Sequence, residues 1–303
     1  MAKLSLSKAW DETREAIARD GKLIGAVALA MFFLPGVIVG VIEPVASPFP
    51  ATTKEAVIAI LVALIALALL ALPATIFGTL APEVLLGGTP ENERLQLVFC
   101  VLLLLSAIGR IAISRLALRH GTVGEAINHG IRRLLPVAGA FLLYIVPFVL
   151  LLAPFLPKVM ASPQSPPPDA LLASTVILLA AFIVGVRLVL VLVPVAAAED
   201  GGPIALLKRS WQLTRGNWWR LTAFLAVFFI ASILASRALG YVLGGVLLLV
   251  SGPIKAMTLS SLILSAPLAL VGAAFTTLFS VMLARIYVQL SGRGLASVPS
   301  SGT

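Results

Sequence analysis

TVGEAINHGIRRLLPVAGAFLLYIVPFVLLLAPFLP, from Thr122 to Pro157, changes character once along its length. Its first third sets Val123, Ala126, Ile127, Ile131 and Leu134 on one helical face, opposite Glu125, Asn128, His129, Arg132 and Arg133. The remainder is apolar for about 20 residues, the length that carries a helix across a ~30 Å hydrocarbon layer. An amphipathic helix lying in the membrane interface and feeding a transmembrane helix explains both halves. The same succession recurs at Ser5–Ile42 and Pro203–Ser236. In the first, Leu6, Trp10, Thr13 and Ile17 oppose Lys8, Asp11, Glu12, Glu15 and Arg19; in the third, Ile204, Leu207, Trp211 and Thr214 oppose Lys208, Arg209, Gln212 and Arg215. Start signals agree: Thr122 and Glu125 fit a capping box, Gly202-Pro203 puts proline at the first helical position, and Ser5 or Ser7 can cap the first helix.

Composition sets the class. The chain has 303 residues, 60% hydrophobic and 12% charged, against about 25% charged in soluble domains. Long apolar runs occupy Leu23–Ile42, Ala56–Ala81, Leu97–Leu118, Leu134–Pro157, Ala170–Ala198, Leu221–Val250 and Ala256–Ala284. None shows the alternation of barrel strands. The expected fold is all-α, a polytopic transmembrane helical bundle. Leu23–Ile42 reads as an uncleaved first transmembrane helix rather than a secretory signal, since its charged leader is long.

Basic residues mark the topology. Lys3, Lys8, Arg14, Arg19 and Lys22 precede the first run. Arg110, Arg115, Arg119, Arg132 and Arg133 surround the end of the third and the start of the fourth, and Lys208, Arg209, Arg215 and Arg220 lie between the fifth and sixth. The remaining connections hold one each: Lys54, Arg94, Lys158 and Lys255. If the rich clusters all face the cytoplasm, an even number of crossings separates them. About six crossings result when Ala56–Ala81, interrupted by Pro73, is a re-entrant hairpin and Leu221–Val250 is one crossing plus a half-helix at Gly240, Gly244 and Gly245. Seven crossings with an external amino terminus is the alternative.

The expected organisation is one integral membrane domain over 1–290, in three tandem units at about 5–121, 122–201 and 202–290. Each unit has an interfacial helix and a transmembrane pair. Ala161–Asp169 reads as an extended polyproline-like loop, and 291–303 as a disordered tail. Both termini are expected on the cytoplasmic side.

Chemistry-bearing motifs are sparse. No P-loop, dinucleotide fingerprint, HExxH or nucleophile elbow occurs. His120 and His129 lack metal-pair spacing, Cys100 is the single cysteine, and Glu83, Glu91 and Glu93 read as solvated. The expectation is no metal, no cofactor and no catalytic residues. The net charge of +9 sits at helix ends rather than on a basic–aromatic platform, which argues for anionic phospholipid and against nucleic acid. Glu199 and Asp200 are placed to pair with Arg187, Lys208 or Arg209. Arg110, Arg187 and Arg285 occupy similar places late in returning helices, and three guanidinium forks converging there make a phospholipid-headgroup pocket. Snorkelling, with each charge stretched to the interface, produces the same pattern.

The segment ALLKRSWQLTRGNWWRL, Ala205 to Leu221, carries a resemblance. Ser210, Trp211, Gly216, Asn217, Trp218, Trp219 and Arg220 resemble the signature of bacterial multipass proteins related to the membrane domain of glycerophosphoryl diester phosphodiesterase. The specific part covers about Glu199 to Phe229. The resemblance implies a bacterial inner-membrane module in lipid or envelope metabolism. The phosphodiesterase centre of that family lies in a separate soluble domain without counterpart here. In physical terms, Gly216-Asn217 ends the interfacial helix and Trp218-Trp219-Arg220 anchors the next at headgroup level. The expected function is a non-catalytic scaffold or lipid-binding protein; a small-solute transporter and a membrane-embedded lipid enzyme are the other readings.

Overall fold

The computed structural model describes residues 4–42, 90–119, 121–155, 167–188 and 192–292. Nine α-helices are found among them: α1 (Leu6–Ala28), α2 (Leu34–Ile42), α3 (Pro90–Leu118), α4 (Val123–Leu152), α5 (Pro168–Leu188), α6 (Leu192–Ala198), α7 (Pro203–Thr214), α8 (Trp218–Ser251) and α9 (Leu259–Ser291). The described residues contain no strand. Among the described residues six helical stretches are long and apolar enough to cross a bilayer, so the chain is an all-α multipass membrane protein. The expected hairpin at Ala56–Ala81, His120, most of the proline-rich connection and the tail from 293 lie outside the described residues.

α9 occupies the middle, packed against α1, α2, α3 and α8; α4 lies beyond α3 and carries α5, α6 and α7. One core joins Ile111 of α3, Val137 of α4 and Leu221 and Phe224 of α8 to Phe279, Leu283 and Ile286 of α9. A second joins Ile24 and Phe32 to Ile113, Leu116, Val281 and Ala284. Where α2 meets α9 the side chains are small: a Cβ built on Gly36 would lie 3.0 Å from the Cβ of Ala269, and one on Gly40 2.5 Å from the Cβ of Ser265. Such close approach lets dispersion hold helices together where lipid competes equally for apolar surface.

A π-helical turn, Leu29–Phe33, joins α1 to α2. Its cause is Pro35, which has no N–H to offer the carbonyl four residues back and whose ring crowds that turn. The displaced carbonyl of Met31 accepts instead from Ser106 Oγ at 3.5 Å. In α4, Tyr144 donates to the carbonyl of Ala181 at 2.7 Å, fixing α4 to α5.

The three amphipathic stretches take two forms. The first joins its spanning helix through a kink at Asp20, where φ is −111° and ψ 15°. The second continues into its spanning helix without a break, begun by the expected capping box of Thr122 and Glu125. Only the third, α7, is a separate helix. One expectation is corrected: α8 is a single helix of 34 residues, not a crossing plus a half-helix. Glycine lowers helix propensity by about 1 kcal/mol but keeps its N–H, so a long apolar helix passes through it intact. At 1.5 Å per residue α8 is about 50 Å long, well beyond the hydrocarbon layer.

All three basic clusters lie at one end of the bundle. The Leu4 N–H donates to Asn217 Oδ1 at 3.3 Å, the Ser5 N–H to Gln289 Oε1 at 3.2 Å, and Arg220 to the Leu4 carbonyl at 2.7 Å. Thus the starts of α1 and α8 meet the end of α9. Arg115 at the end of α3 donates to the Ala197 carbonyl at 3.1 Å, and Arg133 near the start of α4 pairs with Asp200. The seven-crossing alternative, with the amino-terminal cluster opposite the others, is therefore not the arrangement adopted.

Candidate functional site

The α7–turn–α8 segment organises this basic end. Gly202 caps α7 and Pro203 begins it, as expected. The helix stops at Thr214 because Arg215 is extended (φ −61°, ψ 124°). Gly216 then takes φ 87°, the left-handed region that glycine enters without a Cβ clash. The Asn217 N–H closes the turn on the Thr214 carbonyl at 3.2 Å, and α8 starts at Trp218.

Arg187, in the last turn of α5, is the residue this segment surrounds. Its carbonyl is one of the acceptors a helix end leaves open. The hydroxyls of Ser210 and Thr214, both fully buried, each lie 3.1 Å from it. Its guanidinium carbon stands 4.9 Å from the Trp211 ring centroid and 5.9 Å from that of Trp218, within cation–π range. Arg187 Nε is buried and has no hydrogen-bond partner among the described residues, and among them Arg187 forms no ion pair. Stacking on aromatic faces stabilises the cation but leaves its charge uncompensated.

The same face of α5 continues away from Arg187 as Ile183, Leu179 and Val176, at spacings of 4, 8 and 11 residues. They are 41%, 58% and 58% exposed. A cation at the interface thus stands at the foot of an uncovered apolar stripe.

Glu199 and Asp200 are claimed by specific partners. Arg209 Nε donates to Glu199 Oε1 at 3.1 Å, and Tyr287 donates to the same oxygen at 2.7 Å. Of the partners open to Glu199 in the sequence, the structure selects Arg209. Arg215 and Arg209 also border a shallow cavity of about 210 Å³, completed by Gln212, Leu213, Asn217, Leu290 and Ser291.

The three arginines of the expected pocket have different surroundings. Arg187 belongs to the tryptophan pair. Arg285, 3% exposed, faces α1, where the charges acting on it are Arg19, Glu12, Asp20 and Glu15. Arg110 is 6% exposed within α3. Trp219 is largely exposed and stands edge-on to Trp218 at 5.6 Å; Arg220 reaches the Leu4 carbonyl instead of a ligand. The sequence places Thr214 on the apolar face of this helix without a partner and gives no sign of Tyr287. Thr214 carried a signal, its spacing of four from Ser210 on one helical face. Among the described residues no cluster of His, Cys, Asp and Glu is placed to hold a metal ion.

Comparison of the chain with protein-family models, curated proteins and solved structures found no match.

Proposed function

We propose that this protein is a non-catalytic scaffold of a bacterial inner membrane that holds an anionic phospholipid by its headgroup at Arg187, in the service of membrane or envelope lipid homeostasis. On this reading the basic end faces the cytoplasm, with both termini there, and the three amphipathic-plus-spanning units are tandem repeats. The resemblance of the Glu199–Phe229 segment to a membrane module of lipid metabolism belongs to the same reading.

The observation that carries it is the state of Arg187. A half-buried guanidinium is costly without an anion, because burying charge requires compensation. Here two indoles stack on it while no carboxylate of the described residues neutralises it. A lipid phosphate supplies the missing charge through the fork geometry that guanidinium offers. The exposed stripe Ile183–Leu179–Val176 supplies a wall for an acyl chain. The transporter reading leaned on breaks near Pro73 and at Gly244–Gly245; α8 runs uninterrupted through the second, and the first lies outside the described residues.

Native mass spectrometry of the detergent-purified protein tests the reading. Wild type is expected to retain anionic phospholipid, and Arg187→Gln to lose it about tenfold or more, as loss of hydrogen bonds to a charged group implies. Arg237→Gln, on α8 away from the motif, serves as the control. Equal lipid retention by Arg187→Gln and wild type would refute the headgroup site.

A further inference from the structure

We infer that the cavity bounded by Arg209, Gln212, Arg215, Asn217 and Ser291 is a second anion site, separate from Arg187, that takes a small phosphate group. α7 separates the two. Ser210 and Thr214 meet Arg187, whereas around the helix, at ~100° per residue, Gln212 lies roughly 160° from both and Arg209 roughly 100–140° from them.

Four features define the site's chemistry. Its lining has two guanidinium groups, two side-chain amides and a hydroxyl, and no carboxylate; Glu199 pairs with Arg209 from outside the lining, while Arg215 forms no ion pair among the described residues. Arg209 is held from behind: Tyr287 fixes Glu199, and Glu199 accepts Arg209 Nε. That arrangement orients one guanidinium while leaving its terminal nitrogens for a ligand. Asn217, 7% exposed, is itself fixed by the backbone of Leu4, so the floor is built by three distant parts of the chain. Finally, at about 210 Å³ the space falls below the ~300–1,000 Å³ of sites for drug-sized molecules. It suits a phosphate with at most a short organic group, with Arg215 and Arg209 donating to its oxygens.

The phosphate is either free in the aqueous phase or the headgroup of a lipid reaching over the edge of α7, and titration of the intact protein in neutral detergent separates them. Inorganic phosphate is one probe and short-chain phosphatidic acid the other. Wild type is expected to bind inorganic phosphate, with binding that weakens as salt rises. Arg215→Gln, at an exposed position, is expected to weaken it about tenfold or more, and Tyr287→Phe a few-fold by loosening Arg209. Arg187→Gln is expected to leave it unchanged, so this site and the Arg187 site fail independently. Binding of phosphatidic acid alone, with the same loss in Arg215→Gln, assigns the phosphate to a lipid and sustains the site. The inference is overturned if neither probe binds, if Arg215→Gln leaves binding intact, or if Arg187→Gln alone abolishes it.

Discussion

Gly40→Ala is the sharpest test of how the bundle is held together. The added Cβ would sit 2.5 Å from the Cβ of Ser265 and 3.5 Å from its Cα. Ordinary carbon contacts begin near 3.5 Å, so α2 and α9 must separate by about 1 Å at this crossing or unload the strain elsewhere. Overpacking of this kind costs about 1–3 kcal/mol. Against it stands the helix-propensity gain of alanine over glycine, about 1 kcal/mol, which obscures the effect in a single variant. Gly25→Ala removes that difficulty, because its Cβ meets nothing within 4 Å and it lies in the same amino-terminal helical rod. Propensity then largely cancels, leaving Gly40→Ala about 1–3 kcal/mol less stable than Gly25→Ala. Unfolding in mixed micelles with increasing SDS, followed by circular dichroism, measures the difference. Adding Ser265→Gly to Gly40→Ala removes the opposing Cβ and is expected to restore most of the loss. Equal stability of Gly25→Ala and Gly40→Ala would refute close α2–α9 packing at this point.

Other expectations follow from local contacts. Tyr144→Phe removes the bond to the Ala181 carbonyl and is expected to cost about 0.5–1.5 kcal/mol, read as a lowered thermal midpoint in detergent; an unchanged midpoint argues against the α4–α5 tie. Thr122→Ala deletes half of the capping box at an expected cost of about 1 kcal/mol, with faster amide exchange confined to the first turn of α4. Cysteines at exposed Lys8 and Lys208 are expected to react with a membrane-impermeant maleimide from the same side; labelling from opposite sides contradicts a shared basic end.

What the sequence made legible was local. The Thr122–Glu125 cap joins groups three residues apart, at 3.2 Å in both directions, and the Gly202-Pro203 start of α7 is equally short-range. Apolar runs located the spanning helices because hydrophobic length is itself the physical requirement. The half-helix expected in α8 follows from Arg237 in mid-run and the glycines after it, yet the helix continues through them. In lipid, unsatisfied backbone groups cost far more than glycine's lost propensity, so the helix persists. The candidate site was half visible. Arg187, Ser210, Trp211 and Trp218 stood out individually, but their convergence depends on how α5 meets α7. Likewise, the Tyr287–Glu199–Arg209 chain and the Leu4–Asn217 bond join residues 88 and 213 positions apart. No spacing rule reports such pairs; they come from helix order and packing.

The central place of α9 has a consequence for biogenesis. It is translated after α1, α2, α3 and α8, which pack against it, so its neighbours enter the bilayer before their common axle exists. Until it arrives, the inward sides of α1, α2 and α3 must be covered by lipid or by the insertion machinery. Arrest of synthesis before Thr258 therefore leaves spanning segments without the helix against which they pack.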